Sequence, residues 1–397
     1  MDFDFNEEQQ LLADSVRKYL ANDYGFEARK KVIASSAGFS QPAWTTFADM
    51  GLTAIPFAAD VGGFGGGAVD MMAAMEAFGE ALVVEPLLDH IALATRLVAR
   101  AGSAAQRSTT LPALLDGSRK ATFAYLERGR RYALDAPSMT ASKTAMGWRL
   151  EGEKVVVIGA PMADVFVVSA RTDSNSNSNS DSDSGRENSG GTSLFMVDHN
   201  APGVSVSGYR TVDGQRAGDV TFSGVMLSHD ALLGGEENHG KALPRIEEAV
   251  DFATALLCSD AVGAMKSAND ATLEYLKTRK QFGTPLGSFQ ALQHRMVDMF
   301  IACEQARSMA ILAACRVDTA ANTLDAAAIK ARKAAVSGAM VNIADAARLI
   351  SQESVQLHGG MGMSEEMKVS HTFRRLTVLA QRFGDADHHL ERYAAMK

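Results

Sequence analysis

The sequence predicts an α+β protein built in three consecutive parts. A helical part covers residues 1–120, a β-rich middle covers 121–235 and closes as a small barrel or sandwich, and a helical bundle covers 236–397. Three observations carry this. Before residue 118, apolar residues recur at helical spacing between glycine-rich turns. From 121 the texture turns to short β-branched and aromatic runs bounded by Gly, Asp or Pro. After 236 the helical period returns over longer stretches. A chain of 397 residues is long enough for two or three domains and a large core.

In the first part, Leu11, Leu12, Val16 and Leu20 form the stripe of a helix buried on one face. Glu7 and Glu8 suit the positive end of its dipole. Residues 62–67 are too glycine-dense for a helix and read as a loop. A phosphate cradle there is the weaker reading, because neither a helix N-cap nor a lysine follows in P-loop fashion. The middle part offers strands at 121–125, 154–158, 165–168, 194–197 and 220–222. Residues 174–184 alternate Ser, Asn and Asp; such a segment buries no apolar area and reads as a solvated, disordered loop. In the last part, Phe289, Leu292, Met296, Met299, Phe300, Cys303, Ala306 and Ala310 trace one helical face. Ile329, Val336, Met340, Ile343, Ala347 and Ile350 trace another. Both stripes are expected in the core of an antiparallel bundle.

With 46% hydrophobic and 22% charged residues, the chain has the composition of a soluble globular protein. A net charge of −8 and the lack of a helix-turn-helix pattern argue against nucleic-acid binding, which needs a basic surface. Cys258, Cys303 and Cys315 sit in apolar helical contexts without metal spacing, which suits core packing in a reducing compartment. The acidic, polar opening has no secretory features. No apolar run reaches the roughly 18 residues a membrane span needs, so a cytoplasmic location is expected.

Two motifs carry most of the functional information: Arg-Lys-Gln-Phe-Gly at 279–283 and Gln-Leu-His-Gly-Gly-Met-Gly at 356–362. Arg279 offers a planar fork of donors suited to pyrophosphate. Gly359, Gly360 and Gly362 let backbone approach a ligand closely. Each motif alone is an ordinary helix stop; the two meeting at one anion would make a phosphate or dinucleotide site. Residues 279–294 resemble the C-terminal signature of the acyl-CoA dehydrogenase family, and 356–362 its second signature. The resemblance runs along the chain, through residues 1–5, Glu7, Glu8, Gln9, Trp44, Gly51, Leu52, Pro56, 62–65, Glu76, 194–197, 202–204, Leu233 and Gly234. The ending at 383–389 is similar to the small-subunit, pimeloyl-CoA-dehydrogenase-like branch.

The resemblance implies an acyl-CoA dehydrogenase fold with a C-terminal four-helix bundle and FAD between the β-domain and the bundle. It implies an acyl-CoA substrate desaturated between Cα and Cβ, and an electron-transfer flavoprotein as acceptor. A carboxylate removes the α-proton as the β-hydrogen leaves as hydride to the flavin. By the same resemblance, Arg279, Phe282, Gln290, Gln356, Gly359 and Gly360 bind FAD. Arg279, Phe282, Gln356 and Gly360 do so across a dimer interface, at the pyrophosphate and adenine end. Asp251 is left as a contact for the CoA pantetheine.

The departures are as telling. The family's two base positions fall on Phe383 and Ala253, and neither accepts a proton. On a helix turning about 100° per residue, Asp251 lies about 200° from Ala253, Glu248 about 140° and Glu247 about 120°. Asp385 is the acid nearest the other position. The family's Trp-x-Thr after the β-domain lysine is replaced by Val155, Val156 and Val157 after Lys154. Its glycine-rich strand turn is replaced by Leu126-Glu127-Arg128-Gly129-Arg130-Arg131, and an arginine three residues after Asp251 by Thr254. The sequence therefore predicts a base-lacking small subunit that helps bind FAD for a homologous large subunit. The alternatives are a homo-oligomeric dehydrogenase or flavin oxidase with a relocated base, and a non-catalytic partner subunit. Dicarboxylyl, ring-containing or bulky acyl groups are the expected substrates, with Arg128, Arg130 and Arg131 either a surface turn or a seat for a distal carboxylate or the CoA phosphates. His388 and His389 with Asp385 and Asp387 do not read as a metal site, because adjacent side chains on a helix diverge by about 100°. They are expected to touch the cofactor phosphates or cap the last helix.

Overall fold

The computed structural model describes residues 6–172, 191–321 and 323–396. The expected serine-rich loop at 174–184 and the family-like opening at 1–5 lie outside the described residues.

The first helix, α1 (Glu7–Asp23), starts on a reciprocal cap: Asn6 Oδ1 accepts from the Gln9 amide and Gln9 Oε1 from the Asn6 amide, each at 2.9 Å. It buries Ala13, Val16 and Leu20, whereas Leu11 of the expected stripe faces out. Then come α2 (Phe26–Ala34), α3 (Gln41–Asp49) and α4 (Ala68–Ala81). A π-helical stretch at Asp89–Thr95 runs into α5 (Arg96–Ala101), followed by α6 (Ala104–Leu115). The glycine stretch is a loop, as expected, but it leads into α4 with Gly67 as its N-cap, so the expected lack of an N-cap is corrected. Its free amides are already taken. Asp318 accepts from Ala68 N at 2.7 Å and Val69 N at 3.0 Å, and Asp70 accepts from Gly67 N at 2.7 Å. The anion seat at this helix start is therefore filled by the chain's own carboxylates.

The middle part is one curled sheet rather than two packed ones. Its strands are β1 (Ala121–Ala124), β2 (Thr140–Thr144), β3 (Gly147–Ile158), β4 (Val165–Thr172), β5 (Gly191–Asp198), β6 (Val204–Arg210) and β7 (Arg216–Leu227). The order is β1-β4-β2-β3-β7-β6, with β5 on the other edge of β4. Trp148, Phe166, Phe195 and Phe222 fill its own core. The long strand β3 slips register twice against β7, the second time between Lys154 and Val157. At that bulge Val156 has φ +51, an outlier for a β-branched residue and a sign of a constrained site.

The bundle comprises α7 (Leu243–Thr278), α8 (Gln290–Thr319), α9 (Ala326–His358) and α10 (Lys368–Leu379), with α11 (Ala386–Ala394) packed on α9. A short hairpin of β8 (Lys280–Gln281) and β9 (Thr284–Pro285) joins α7 to α8. Helices α4 and α7 touch backbone to backbone. A Cβ at Gly79 would lie 1.9 Å from the Asp260 carbonyl, and one at Gly263 1.9 Å from that of Glu76. Only glycine permits this crossing. The α9 stripe packs as expected, with Ile329 half-buried. The α8 stripe is corrected: Met299, Cys303, Ala306 and Ala310 are buried, but Phe289 is only partly covered and Phe300 is 59% exposed beside Val297 and Ile301.

Candidate active site

A cavity of about 610 Å³ opens where the sheet, the first turns of α7 and the end of α10 meet α11. Phe123, Tyr125 and Tyr132 wall one side, with Val156 and Ile158 of β3. Thus Val156, from the run that replaces the family's Trp-x-Thr, stands in the wall. Phe383 lies on the opposite wall, buried, with φ +62 and the Arg382 guanidinium 4.8 Å from its ring centroid.

The sequence argument assumed that the face of α7 carrying Ala253 looks at the ligand. It does not. Ala253 is fully buried in the core, and Leu243, Glu247, Val250, Asp251 and Thr254 line the cavity. Two acids therefore reach the site, but both are engaged. Asp251 is 1% exposed and bound by Arg332 Nε at 2.9 Å and Arg392 Nη2 at 2.7 Å. Glu247 pairs with Lys333 at 2.8 Å. The other lining acids are paired as well, Asp89 with Arg382 and Asp135 with Arg130 at 3.6 Å. Burial pushes the Asp89 carboxyl up while Arg382 pulls it back.

Asp385 stands off the cavity wall as the N-cap of α11, where its carboxylate accepts from His388 N at 2.9 Å. That bond holds its carboxyl below the ordinary range, which makes it a poor proton acceptor. The basic turn is likewise committed: Arg128 pairs with Asp219 and Glu153, and Arg131 lies 3.9 Å from Asp385. With Arg130 on Asp135, these arginines are surface ion pairs rather than an open carboxylate seat.

His388 and His389 neither cap α11 nor stand near the glycine clamp; both line the cavity. Burial pulls the His388 imidazole down, and Arg392 adds to the effect. His389 is pulled to about 3 by burial and by His388, and it packs against Gly384. Both rings are neutral at pH 7. The sequence reading missed Tyr125, Tyr132, Arg382 and Arg392. No local signal singled out α7's cavity face, because Glu248 and Asp260 put buried acids on the sides of the helix away from Glu247, Asp251 and Thr254.

The two motifs come together at the far end of α7. Tyr275 stacks on His358 with ring centroids 4.4 Å apart, which ties the end of α7 to the end of α9. Arg279, Phe282, Gln290, Gln356, Gly359 and Gly360 are all exposed there, and Phe282 is 91% exposed with φ +55. A Cβ at Gly283, Gly359 or Gly360 would meet nothing within 4 Å. At Gly360 φ is not positive either, so nothing inside the chain calls for glycine at that position. From Thr254 at the cavity to Tyr275 at the clamp, α7 runs unbroken for roughly 30 Å at about 1.5 Å per residue.

These residues fit a dinucleotide in two separate halves. The clamp is an open, glycine-floored surface with an arginine fork. The cavity is an aromatic and aliphatic slot of ligand size. Among the described residues there is no cluster of metal-ligating side chains, and no helix is long and apolar enough to cross a membrane.

Comparison with known proteins assigns the three parts. The N-terminal, middle and C-terminal domain models of acyl-CoA dehydrogenase match residues 6–118, 122–225 and 241–396. The chain is 26% identical to an acryloyl-CoA reductase (NADH) of Anaerotignum propionicum, covering 94% of this chain and 90% of that one. It is 28% identical to the acyl-CoA dehydrogenase FadE12 of Mycobacterium tuberculosis, over 92% and 89%. Among solved structures, a chain of the ChsE4–ChsE5 complex from Mycobacterium tuberculosis superposes with a TM-score of 0.85 at 26% identity. That match covers 100% of this chain and 98% of the other.

Proposed function

The chain belongs to the acyl-CoA dehydrogenase family of FAD-dependent oxidoreductases, and on that premise we propose that it is the base-lacking small subunit of a heteromer. Its clamp holds the FAD tail for the cavity of a homologous large subunit, which carries the glutamate. One observation supports this above the others: each carboxylate lining this chain's cavity is ion-paired, and Phe383 stands in the base position. An acid bound by one or two cations is a weak base. The roughly 30 Å between clamp and cavity along α7 supports sharing between subunits. The solved relative in the ChsE4–ChsE5 complex is a precedent for assembly with a second chain.

FAD, when bound, accepts the β-hydrogen as hydride. This chain's residues position and exclude. Arg279 meets the pyrophosphate, Phe282 covers the adenine end, and Gly359 and Gly360 leave room for the tail. Asp251, held between Arg332 and Arg392, fixes the bundle beside the pantetheine path rather than accepting a proton. With Arg128 and Arg130 committed to ion pairs, this chain offers no seat for a distal carboxylate, which favours a ring-containing or otherwise bulky acyl group, held by the large subunit, over a dicarboxylyl one. The acceptor in this reading is an electron-transfer flavoprotein.

Purified alone, the chain binds FAD weakly and acyl-CoA does not bleach it. Co-purified with a homologue carrying glutamate at the Phe383 position, it yields one flavin per unlike pair, reducible by acyl-CoA in the absence of air. Efficient turnover by the isolated chain overturns the proposal. Rapid mixing of the reduced complex with air separates a dehydrogenase from an oxidase. A second reading rests on His388, whose neutral imidazole lines the cavity and could accept the α-proton in a homo-oligomer. In that case His388→Gln abolishes a turnover that the isolated chain already shows.

A further inference from the structure

Where the end of α1, the start of α2, the end of α4 and the start of α10 meet, a pocket of about 280 Å³ lies apart from the active cavity. Leu20, Ala21, Tyr24, Phe26, Ala77 and Ala81 give it apolar walls. The Tyr24 hydroxyl is already used, donating to Glu85 at 2.6 Å. Of the three charged residues that line it, two pair with each other. Arg17 Nε lies 3.5 Å from Glu80, whose other oxygen is 3.8 Å from Lys266. The third is Lys368, the first residue of α10.

Lys368 is half-buried, and among the described residues its amine makes neither a hydrogen bond nor an ion pair. It stands at a helix start, where the dipole disfavours a cation, and no acid in that first turn compensates. Burial pulls its ammonium below the ordinary range. Glu80 opposes this but is shared with Arg17 and Lys266, and the Arg29 charge adds to the lowering. Lys30 nearby is the contrast: Glu27 and Glu366 each hold it at 2.9 Å, and its ammonium is raised. His371, on the same helix as Lys368, is turned edge-on to Phe26 with its Nδ1 3.0 Å from Arg29. An amine whose charge is disfavoured is neutral more of the time, and the neutral amine is the nucleophile.

We propose that Lys368 is an acylation site, whose amine takes a short acyl group from an acyl-CoA thioester and holds it in this pocket. The nitrogen attacks the thioester carbonyl carbon and the carbon–sulfur bond breaks. CoA leaves as the thiol, carrying the proton that the nitrogen sheds, so no further reactant is needed. The amide product is neutral, which removes a half-buried charge, and its alkyl tail covers the apolar walls. A volume of about 280 Å³ takes a short chain and leaves the CoA moiety outside. The inference goes beyond the small-subunit reading and does not depend on it, since neither FAD nor a second chain takes part.

The test incubates the full chain with acetyl-CoA or butyryl-CoA at mildly alkaline pH and follows each lysine by peptide mass spectrometry. Lys368 is acylated several-fold faster than the exposed Lys18 and Lys277. In urea the pocket is gone and Lys368 falls to their rate. Ala21→Leu, a change at an exposed position on the pocket's rim, slows the butyryl reaction more than the acetyl one. Lys368→Arg loses the adduct and leaves the other lysines as they were. The proposal is overturned if folded Lys368 reacts no faster than Lys18 and Lys277, if its lead survives in urea, or if Ala21→Leu leaves both rates unchanged. A lower melting temperature of the butyrylated chain would also overturn it, because a tail seated in the pocket does not destabilise the fold. Should Lys368→Arg fail to fold, the wild-type map in buffer and in urea decides. None of these outcomes bears on FAD sharing, which the flavin stoichiometry of the unlike pair reports separately.

Discussion

Replacing Phe383 with glutamate puts a carboxylate on the wall where the family's base belongs. The cost can be worked from the surroundings. Phe383 is 8% exposed, so losing its burial costs about 1.5–3 kcal/mol. Placing a charge there adds to that, and the Arg382 guanidinium already stacked on the ring offsets part of it. The positive φ strains glutamate as much as phenylalanine, so the backbone contributes no difference. A net loss of about 2–4 kcal/mol leaves a folded protein with this much buried surface. The gain is chemical, since a well-placed general base contributes about 10²–10⁴-fold. The assay is exchange of the α-protons of a saturated acyl-CoA in deuterated water, followed by mass spectrometry, which needs a base but no hydride transfer. Exchange rises by that factor in Phe383→Glu and stays at the wild-type level in Phe383→Gln. Wild-type exchange as fast as that of Phe383→Glu would refute the missing-base argument, and its loss in His388→Gln would then identify the acceptor.

Three further outcomes follow from the same structure. Arg279→Ala, an exposed side chain at the clamp, weakens FAD binding by the assembled protein by about 10- to 100-fold in fluorescence titration. It leaves the melting temperature of the chain nearly unchanged. His90 is buried, with Nδ1 accepting from the Ala121 amide at 3.0 Å and Nε2 facing the Leu114 carbonyl at 2.8 Å, and burial pulls it down to about 4. Because the unfolded chain takes up this proton first, stability from the neutral ring is complete above about pH 6.5 and is lost as pH falls toward 4. The loss approaches about 3 kcal/mol there, and urea denaturation across that window should be flatter for His90→Gln than for wild type. Gly263→Ala forces α4 and α7 apart and costs about 1–3 kcal/mol or more. Gly338→Ala, whose Cβ meets only Met309 at 3.6 Å, is neutral or slightly stabilising, and equal effects in the two variants would remove the packing argument.

Some of this was legible in the residues. Period and composition located the helical, β and helical parts, and each anticipated strand centre falls inside an observed strand. The clamp motifs could be read because helix stops, glycines and an exposed arginine are local signals. Which side of α7 meets the ligand could not. From Glu248 to Met265 every residue of that helix is buried, so no polar stripe marks a solvent face from which to count, and core and cavity sides look alike in sequence. The state of the acids was equally hidden. Asp251 is neutralised by Arg332 and Arg392, and Glu247 by Lys333, partners that lie some eighty to a hundred and forty positions away and are joined to α7 only by the bundle. The same limit explains Phe300, whose helical spacing is compatible with the core but which packing leaves in the open. The sequence alone determined the order of elements and the two exposed helix-end motifs at 279–283 and 356–362, because both are written in neighbouring residues. Only the tertiary structure decided that the cavity's acids are held by cations, because an ion pair between distant helices depends on how they pack and not on any pattern along the chain.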